Sequence, residues 1–176
     1  MSISEKQRII ALDGHDGAGK TTLAHLLADQ LGGRYVKPFS GELGDMIAWL
    51  WRGRRFELAD QLARNAVEKI LSENQDASVL IFDRHWLCLF TVLPEEYYKN
   101  WLPLPTTILC WTTPETTIHR LDERGESPED PALHKHYCSL YRSLANQFKV
   151  PIIDTTDITI SDAFDLLVLE LNGLNI

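Results

Sequence analysis

Gly14-His15-Asp16-Gly17-Ala18-Gly19-Lys20-Thr21-Thr22 decides how the rest of this chain is read. It satisfies every fixed position of the pattern G-x-x-x-x-G-K-[ST]. Glycines at these places let backbone N–H groups converge on phosphate oxygens without side-chain obstruction. Lys20 can then reach the outer phosphates of a bound nucleotide, and Thr21 can place its hydroxyl on Mg²⁺. The flanks have the required character. Arg8-Ile9-Ile10-Ala11-Leu12-Asp13 reads as a buried strand. Behind the loop, Leu23, Leu26, Leu27 and Leu31 recur at helical spacing until Gly32-Gly33 stops the helix.

Composition narrows the remaining choices. The chain has 176 residues, 44% of them hydrophobic, which suits one globular domain with a full core. No apolar run is long enough to cross a bilayer, and the polar start Met1 to Arg8 is not a secretory signal. Cys88, Cys110 and Cys138 show no metal-ligand spacing and read as reduced thiols of a cytoplasmic protein. A net charge of −8 argues against nucleic acid as a partner but leaves room for a small phosphorylated ligand in a local basic pocket.

Strands and helices are expected to alternate along the whole chain. Tyr35-Val36-Lys37, Val79 to Phe82, Thr107 to Trp111 and Ile152 to Asp154 read as further strands. Helices are expected over Gly41–Arg52, Phe56–Asn74, from Thr113-Pro114-Glu115 to Gly125, from Asp130-Pro131 to Phe148, and over Ile160–Leu171. Val79-Leu80-Ile81-Phe82 is apolar on both faces, as a parallel sheet requires. The pattern predicts an α/β fold, a five-stranded parallel sheet flanked by helices in three layers, with ligands beyond the carboxyl ends of the strands.

Asp83 ends the third strand, where a second carboxylate near Mg²⁺ would lie; the alternative is that it caps the helix after it. Arg120 and Arg124 share one helix face beside Gly125 to Pro131, which suits a short lid over residues 120–131 that closes on a nucleotide. Arg52, Arg54 and Arg55 either hold an acceptor's phosphate or form a surface turn. Trp49-Leu50-Trp51 reads as packing or a subunit contact rather than a stacking site. His134 and His136, two apart on a helix, face different ways and are expected at the surface.

With these parts in place the chain resembles the thymidylate kinase family and, more loosely, the deoxynucleoside kinases, both phosphate-loop (P-loop) kinases. Leu12 to Thr22 looks like the family's loop with its embedded acid, Phe82-Asp83-Arg84-His85 like its Asp-Arg motif, and Thr113 to Gly125 like its lid helix. The resemblance implies a P-loop NTPase fold, residues 1–176 as a single kinase domain, and ATP and Mg²⁺ as donor and cofactor. Gly14, His15, Asp16, Gly17, Ala18, Gly19, Lys20, Thr21, Thr22 and Arg120 would bind the nucleotide. Thr21 and Asp83 would hold the metal. Lys20, Asp83, Arg84 and Arg124 would serve catalysis. Asp16, Lys37, Phe39, Arg64 and Arg84 would contact the acceptor. The family often forms homodimers, so a homodimer is a further expectation, with Trp49 or Trp51 in the contact.

Departures from the family bear on the acceptor. Val36-Lys37-Pro38-Phe39 replaces an Arg-Glu-Pro segment, and Lys37 cannot act as a base while protonated. Cys88 stands at the position of a Ser, and Thr91-Val92-Leu93 replaces a segment ending in Gln that reads the base. The expectation is therefore phosphoryl transfer from Mg²⁺·ATP to an anionic small molecule, a nucleoside monophosphate first, with the base left open. Two alternatives stand beside it: a kinase of a nucleoside or other alcohol with Asp16 or Asp83 as base, and an ATP-reading switch or ATPase.

Overall fold

Strand pairing is parallel throughout, because each strand is carried back to the sheet's starting edge by a helix. The strands are β1 (Arg8–Asp13), β2 (Arg34–Val36), β3 (Val79–Asp83), β4 (Thr106–Trp111) and β5 (Ile152–Asp154). They lie in the order β2-β3-β1-β4-β5. The helices are α1 (Lys20–Leu31), α2 (Gly41–Arg52), α3 (Phe56–Glu73), α4 (Trp86–Phe90), α5 (Pro114–Glu123), α6 (Pro131–Phe148) and α7 (Ile160–Gly173). This computed structural model describes residues 7–126 and 130–174, so part of the expected lid, 127–129, lies outside the described residues.

Side chains alternate across each strand, which splits the core in two. Ile10, Leu12, Ile81 and Ile108 pack with Leu23 and Leu27 of α1 and Leu167 and Leu171 of α7. Ala11, Leu80, Phe82 and Leu109 pack on the other face with Ala63 and Val67 of α3, Trp86 of α4 and Leu144 of α6. Fully buried side chains such as Phe82 and Leu27 each contribute about 1.5–3 kcal/mol. This three-layer arrangement is the architecture of P-loop NTPases.

The helix starts expected at Thr113-Pro114 and Asp130-Pro131 are present: Thr113 accepts a hydrogen bond from the Thr116 N–H with Pro114 in the first turn, and Asp130 caps α6 through the Ala132 N–H. Thr159, not read as a cap from sequence, forms a capping box with Asp162. The 3₁₀ segment Glu95–Trp101 had no sequence signal, and α4 had none beyond the expectation that a helix follows Asp83. Trp86-Leu87-Cys88-Leu89-Phe90 is apolar all round and five residues long, so it carries no amphipathic period; it is instead enclosed, with four of its five residues buried.

Asp13, not Asp83, caps α4. Its buried carboxylate accepts from the backbone N–H groups of His85 (3.1 Å), Leu87 (3.3 Å) and Cys88 (3.2 Å). Parallel pairing of β1 with β3 brings these ends together, with Leu12 opposite Asp83. Burial pushes the Asp13 carboxyl up, against the N–H groups that favour its anion. Asp13→Ala is expected to cost about 3 kcal/mol or more, because three enclosed N–H groups lose their acceptor. Urea unfolding measures it, and a loss under about 1 kcal/mol would mean the cap is dispensable.

Candidate functional site

The turn from β1 into α1 is forced open by backbone geometry. Gly14 has φ 148°, and a Cβ there would sit 2.1 Å from the Cys110 carbonyl oxygen. Gly17 has φ 73°, and a Cβ there would meet Thr117 Cα at 3.1 Å. Only glycine fits both the conformations and the spaces. Gly19, also left-handed, precedes α1 and offers no side-chain cap, so the first N–H groups of the helix remain open at its positive end.

Lys20, the first residue of α1, is 6% exposed and donates from Nζ to the His15 carbonyl at 2.7 Å. Burial, with Arg84 close by, pulls its ammonium down to about 8. Next to it, the Thr21 hydroxyl donates to Asp83 Oδ2 at 2.6 Å, and the Tyr35 hydroxyl donates to the same oxygen at 2.9 Å. Lys37 Nζ lies 3.6 Å from that oxygen. Burial opposes ionisation of Asp83, but these donors together with Lys20 outweigh it and hold the carboxyl below its ordinary range. Asp83 Oδ1 is buried with no hydrogen-bond partner among the described residues.

Arg84 turns away from β3 with φ 76°, unusual for a residue with a side chain, and its N–H donates to the Leu12 carbonyl. The turn aims the guanidinium along the loop. Nη1 donates to the Gly14 carbonyl at 3.2 Å and to the Tyr141 hydroxyl at 3.4 Å, and Nη2 pairs with Asp16. Asp16 is lowered: burial works against it, and Arg84 and Lys20 prevail.

Three spaces adjoin along the loop. A central groove of about 420 Å³ is lined by Lys20, Thr21, Lys37, Asp83, Arg84 and Arg124. On the α7 side lies a smaller space of about 160 Å³ between Leu23, Arg120, Thr155, Ile158 and Ile160. Arg120 is fixed there by the Gly17 carbonyl (2.9 Å) and the Thr155 carbonyl (2.6 Å). On the α2 and α6 side lies a cavity of about 400 Å³ walled by Phe39, Ile47, Trp51, Val92, Tyr137 and Tyr141, with His15, Asp16, Asp45 and Arg84 on its polar side.

The structure therefore brings together all the expected site residues but one. Arg64 is elsewhere: its Nε pairs with Asp60 at 3.0 Å, and it lines a separate cavity with Trp101 and Pro103. The i, i+4 spacing of Asp60 and Arg64 on α3 captures it locally. Arg52, Arg54 and Arg55 form an exposed turn between α2 and α3 and line none of the three spaces. Trp51 lines the aromatic-walled cavity, whereas Trp49 points outward, 66% exposed. One expectation is corrected. His134 is not at the surface: it is 1% exposed, with Nδ1 2.8 Å from His15 Nε2, while His136 is exposed as expected. Asp13, Tyr35, Tyr137, Tyr141 and Thr155 were not anticipated. Only Asp13 had a visible signal, since it ends β1 as Asp83 ends β3.

No protein-family model matches the chain. A protein from Metallosphaera sedula described as a probable thymidylate kinase is 24% identical over 165 residues, 84% of each chain. One from Methanococcus aeolicus with the same description is 38% identical over 84 residues, 44% of this chain and 43% of that one. A solved deoxyadenosine kinase from M. mycoides with bound dATP superposes with a TM-score of 0.64 at 18% identity, covering 93% of this chain and 99% of that one. The sheet order and loop are those of a P-loop NTPase, and the similarity to the curated relatives relates the chain to the P-loop kinase superfamily. Within it, the chain is related to the thymidylate kinases at low-to-moderate identity and shares its fold with the deoxyadenosine kinase.

Proposed function

We propose that this chain transfers the terminal phosphoryl group of Mg²⁺·ATP to a small acceptor that already carries a phosphate, a nucleoside monophosphate first. The observation that carries the reading is the order of the three spaces along the loop. A narrow slot beside Arg120 suits the adenine, the lysine-bearing groove suits the phosphates, and the aromatic-walled cavity beside Arg84 suits the acceptor. The relatives' descriptions as thymidylate and deoxyadenosine kinases support general ATP-dependent small-molecule kinase activity.

The donor set fits Mg²⁺. Thr21 and Asp83 place hard oxygen ligands side by side, and the enclosed Asp83 Oδ1 has no partner among the described residues. Thr21 and Asp83 would hold the ion, which would supply charge neutralisation at the outer phosphates. The rest is the work of the chain's own cations. Lys20 exchanges the His15 carbonyl for phosphate oxygens, Arg84 grips the acceptor's phosphate, Lys37 adds positive charge to the groove, and Arg124 closes on the transferring group. Catalysis is in-line positioning and charge stabilisation without a covalent intermediate.

An alcohol acceptor would need a base. Both candidate carboxylates are engaged, Asp16 by Arg84 and Asp83 by Thr21, Tyr35 and Lys37, which favours an acceptor whose oxygen is already anionic. ADP release from Mg²⁺·ATP against nucleosides, nucleoside monophosphates and small alcohols tests this. Turnover that requires a monophosphate is expected; turnover only with unphosphorylated alcohols overturns it. Turnover of ATP alone would instead indicate an ATPase or switch.

Lys20 also predicts a pH dependence. A bound polyphosphate favours the charged ammonium and raises it from about 8 toward its ordinary value. Nucleotide binding should take up close to one proton above pH 8, so affinity holds below that pH and weakens above it. Calorimetric titration of ADP at pH 9 in two buffers of different ionisation heat measures the uptake; zero uptake refutes it.

The three unpaired thiols support a reducing compartment such as the cytoplasm. Met46 and Trp49 of α2 and Leu58 of α3 remain exposed, which supports a homodimer through that face. Among the described residues no helix is long and apolar enough to cross a membrane.

A further inference from the structure

His15 and His134 meet at 2.8 Å, Nε2 to Nδ1, and one proton lies between them. Which nitrogen owns it follows from burial. The other nitrogen of His134, Nε2, is enclosed and has no partner among the described residues. A proton there would be a buried N–H without an acceptor, the costlier of the two ways to leave a ring nitrogen unpaired. His134 therefore keeps its Nε2 bare, carries its proton on Nδ1 and donates it to His15 Nε2. His15, with that nitrogen accepting, must hold its own proton on Nδ1. Burial pulls the His15 imidazolium down to about 4, so the ring is neutral near pH 7 and carries one proton only.

The ring is held in place as well as in tautomer. It stacks on Tyr137 with centroids 5.5 Å apart and planes 16° from parallel. It lines the aromatic-walled cavity beside Asp16 and Arg84. We propose that His15, locked by His134 as the Nδ1–H tautomer, is a fixed hydrogen-bond donor into the acceptor cavity that binds an anionic oxygen of the acceptor. His134 acts through it as a positioning residue. The assignment of an acceptor oxygen rests on the kinase reading above; the tautomer does not. It also removes His15 as a general base, since its one accepting nitrogen is occupied.

The tautomer is measured directly by long-range ¹H–¹⁵N correlation on the wild-type protein near pH 7, with His15 assigned from its loss in His15→Gln. A protonated Nδ1 and bare Nε2 are expected; the reverse pattern, or averaging between the two, overturns the proposal. Kinetics form the second arm, with the four deoxynucleoside monophosphates as probes. His134→Leu should raise the KM of the accepted monophosphate roughly tenfold, the loss of one hydrogen bond, and leave the KM for ATP within about twofold. His134→Asn, whose Nδ2 can stand in for the imidazole Nδ1–H, should recover most of that loss. An unchanged acceptor KM in His134→Leu, or equal changes for both substrates, refutes the role. A wild type silent on every monophosphate overturns the kinase reading, and the donor then stands or falls on the tautomer alone.

Discussion

Replacing Arg124 with alanine is expected to lower kcat about a thousandfold, the scale at which a transition-state arginine acts in phosphoryl transfer. Arg124, the residue just past α5, borders both the central groove and the slot beside Arg120. Its side chain is half exposed and faces Glu126 at only 4.0 Å, so little holds it back from a phosphoryl group. Arg120 is differently placed: two backbone carbonyls and the Thr155 hydroxyl already occupy its donors. Arg120→Ala should mainly raise the KM for ATP and loosen the 14–22 loop. Single-turnover rates separate the two. A thousandfold loss in Arg120→Ala with a mild Arg124→Ala would exchange their roles.

Lys20→Ala should lower turnover by about a hundredfold or more, roughly 3 kcal/mol of barrier. The loss comes from an ammonium that no neighbour replaces, because Arg84 is committed to Asp16 and Gly14 and Lys37 lies toward Asp83. The same substitution should not destabilise the fold. Lys20 is buried with its charge disfavoured, its one strong contact is the His15 carbonyl, and removing a costly charge offsets the packing lost. Inactivity with an undiminished unfolding midpoint is the expected pair of results. Near-normal activity would refute the role of the loop, and inactivity with a collapsed midpoint would assign the effect to folding.

The two residues illustrate how far a sequence reads into a site. Lys20 is legible because the loop is local: nine consecutive residues set its backbone path, its helix start and its lysine. Arg124 is legible only as one of a pair, since i, i+4 spacing puts Arg120 and Arg124 on one face without saying which reaches the groove. Arg64 shows the limit. The family resemblance implied an acceptor contact, but Asp60, four residues earlier, holds it away from the acceptor cavity.

What lay wholly outside the sequence is the set of contacts between distant segments. His134 reads as one of two ordinary helical histidines until α6 is laid against the loop 119 residues earlier. Asp13 reads as the last residue of a strand until parallel pairing puts it under the N-terminus of α4, a helix too short and too uniformly apolar to show its bounds or its cap in the sequence. The sequence by itself determined the alternation of strands and helices, the glycine loop and its lysine, and the starts of α5 and α6, because each depends on residues within about one turn or strand of one another. Sheet order, the helix that Asp13 caps, the paired histidines and the walls of the acceptor cavity were decided only by tertiary structure. They arise from packing between segments far apart in the chain, and local spacing carries no record of which side chains that packing will bring face to face.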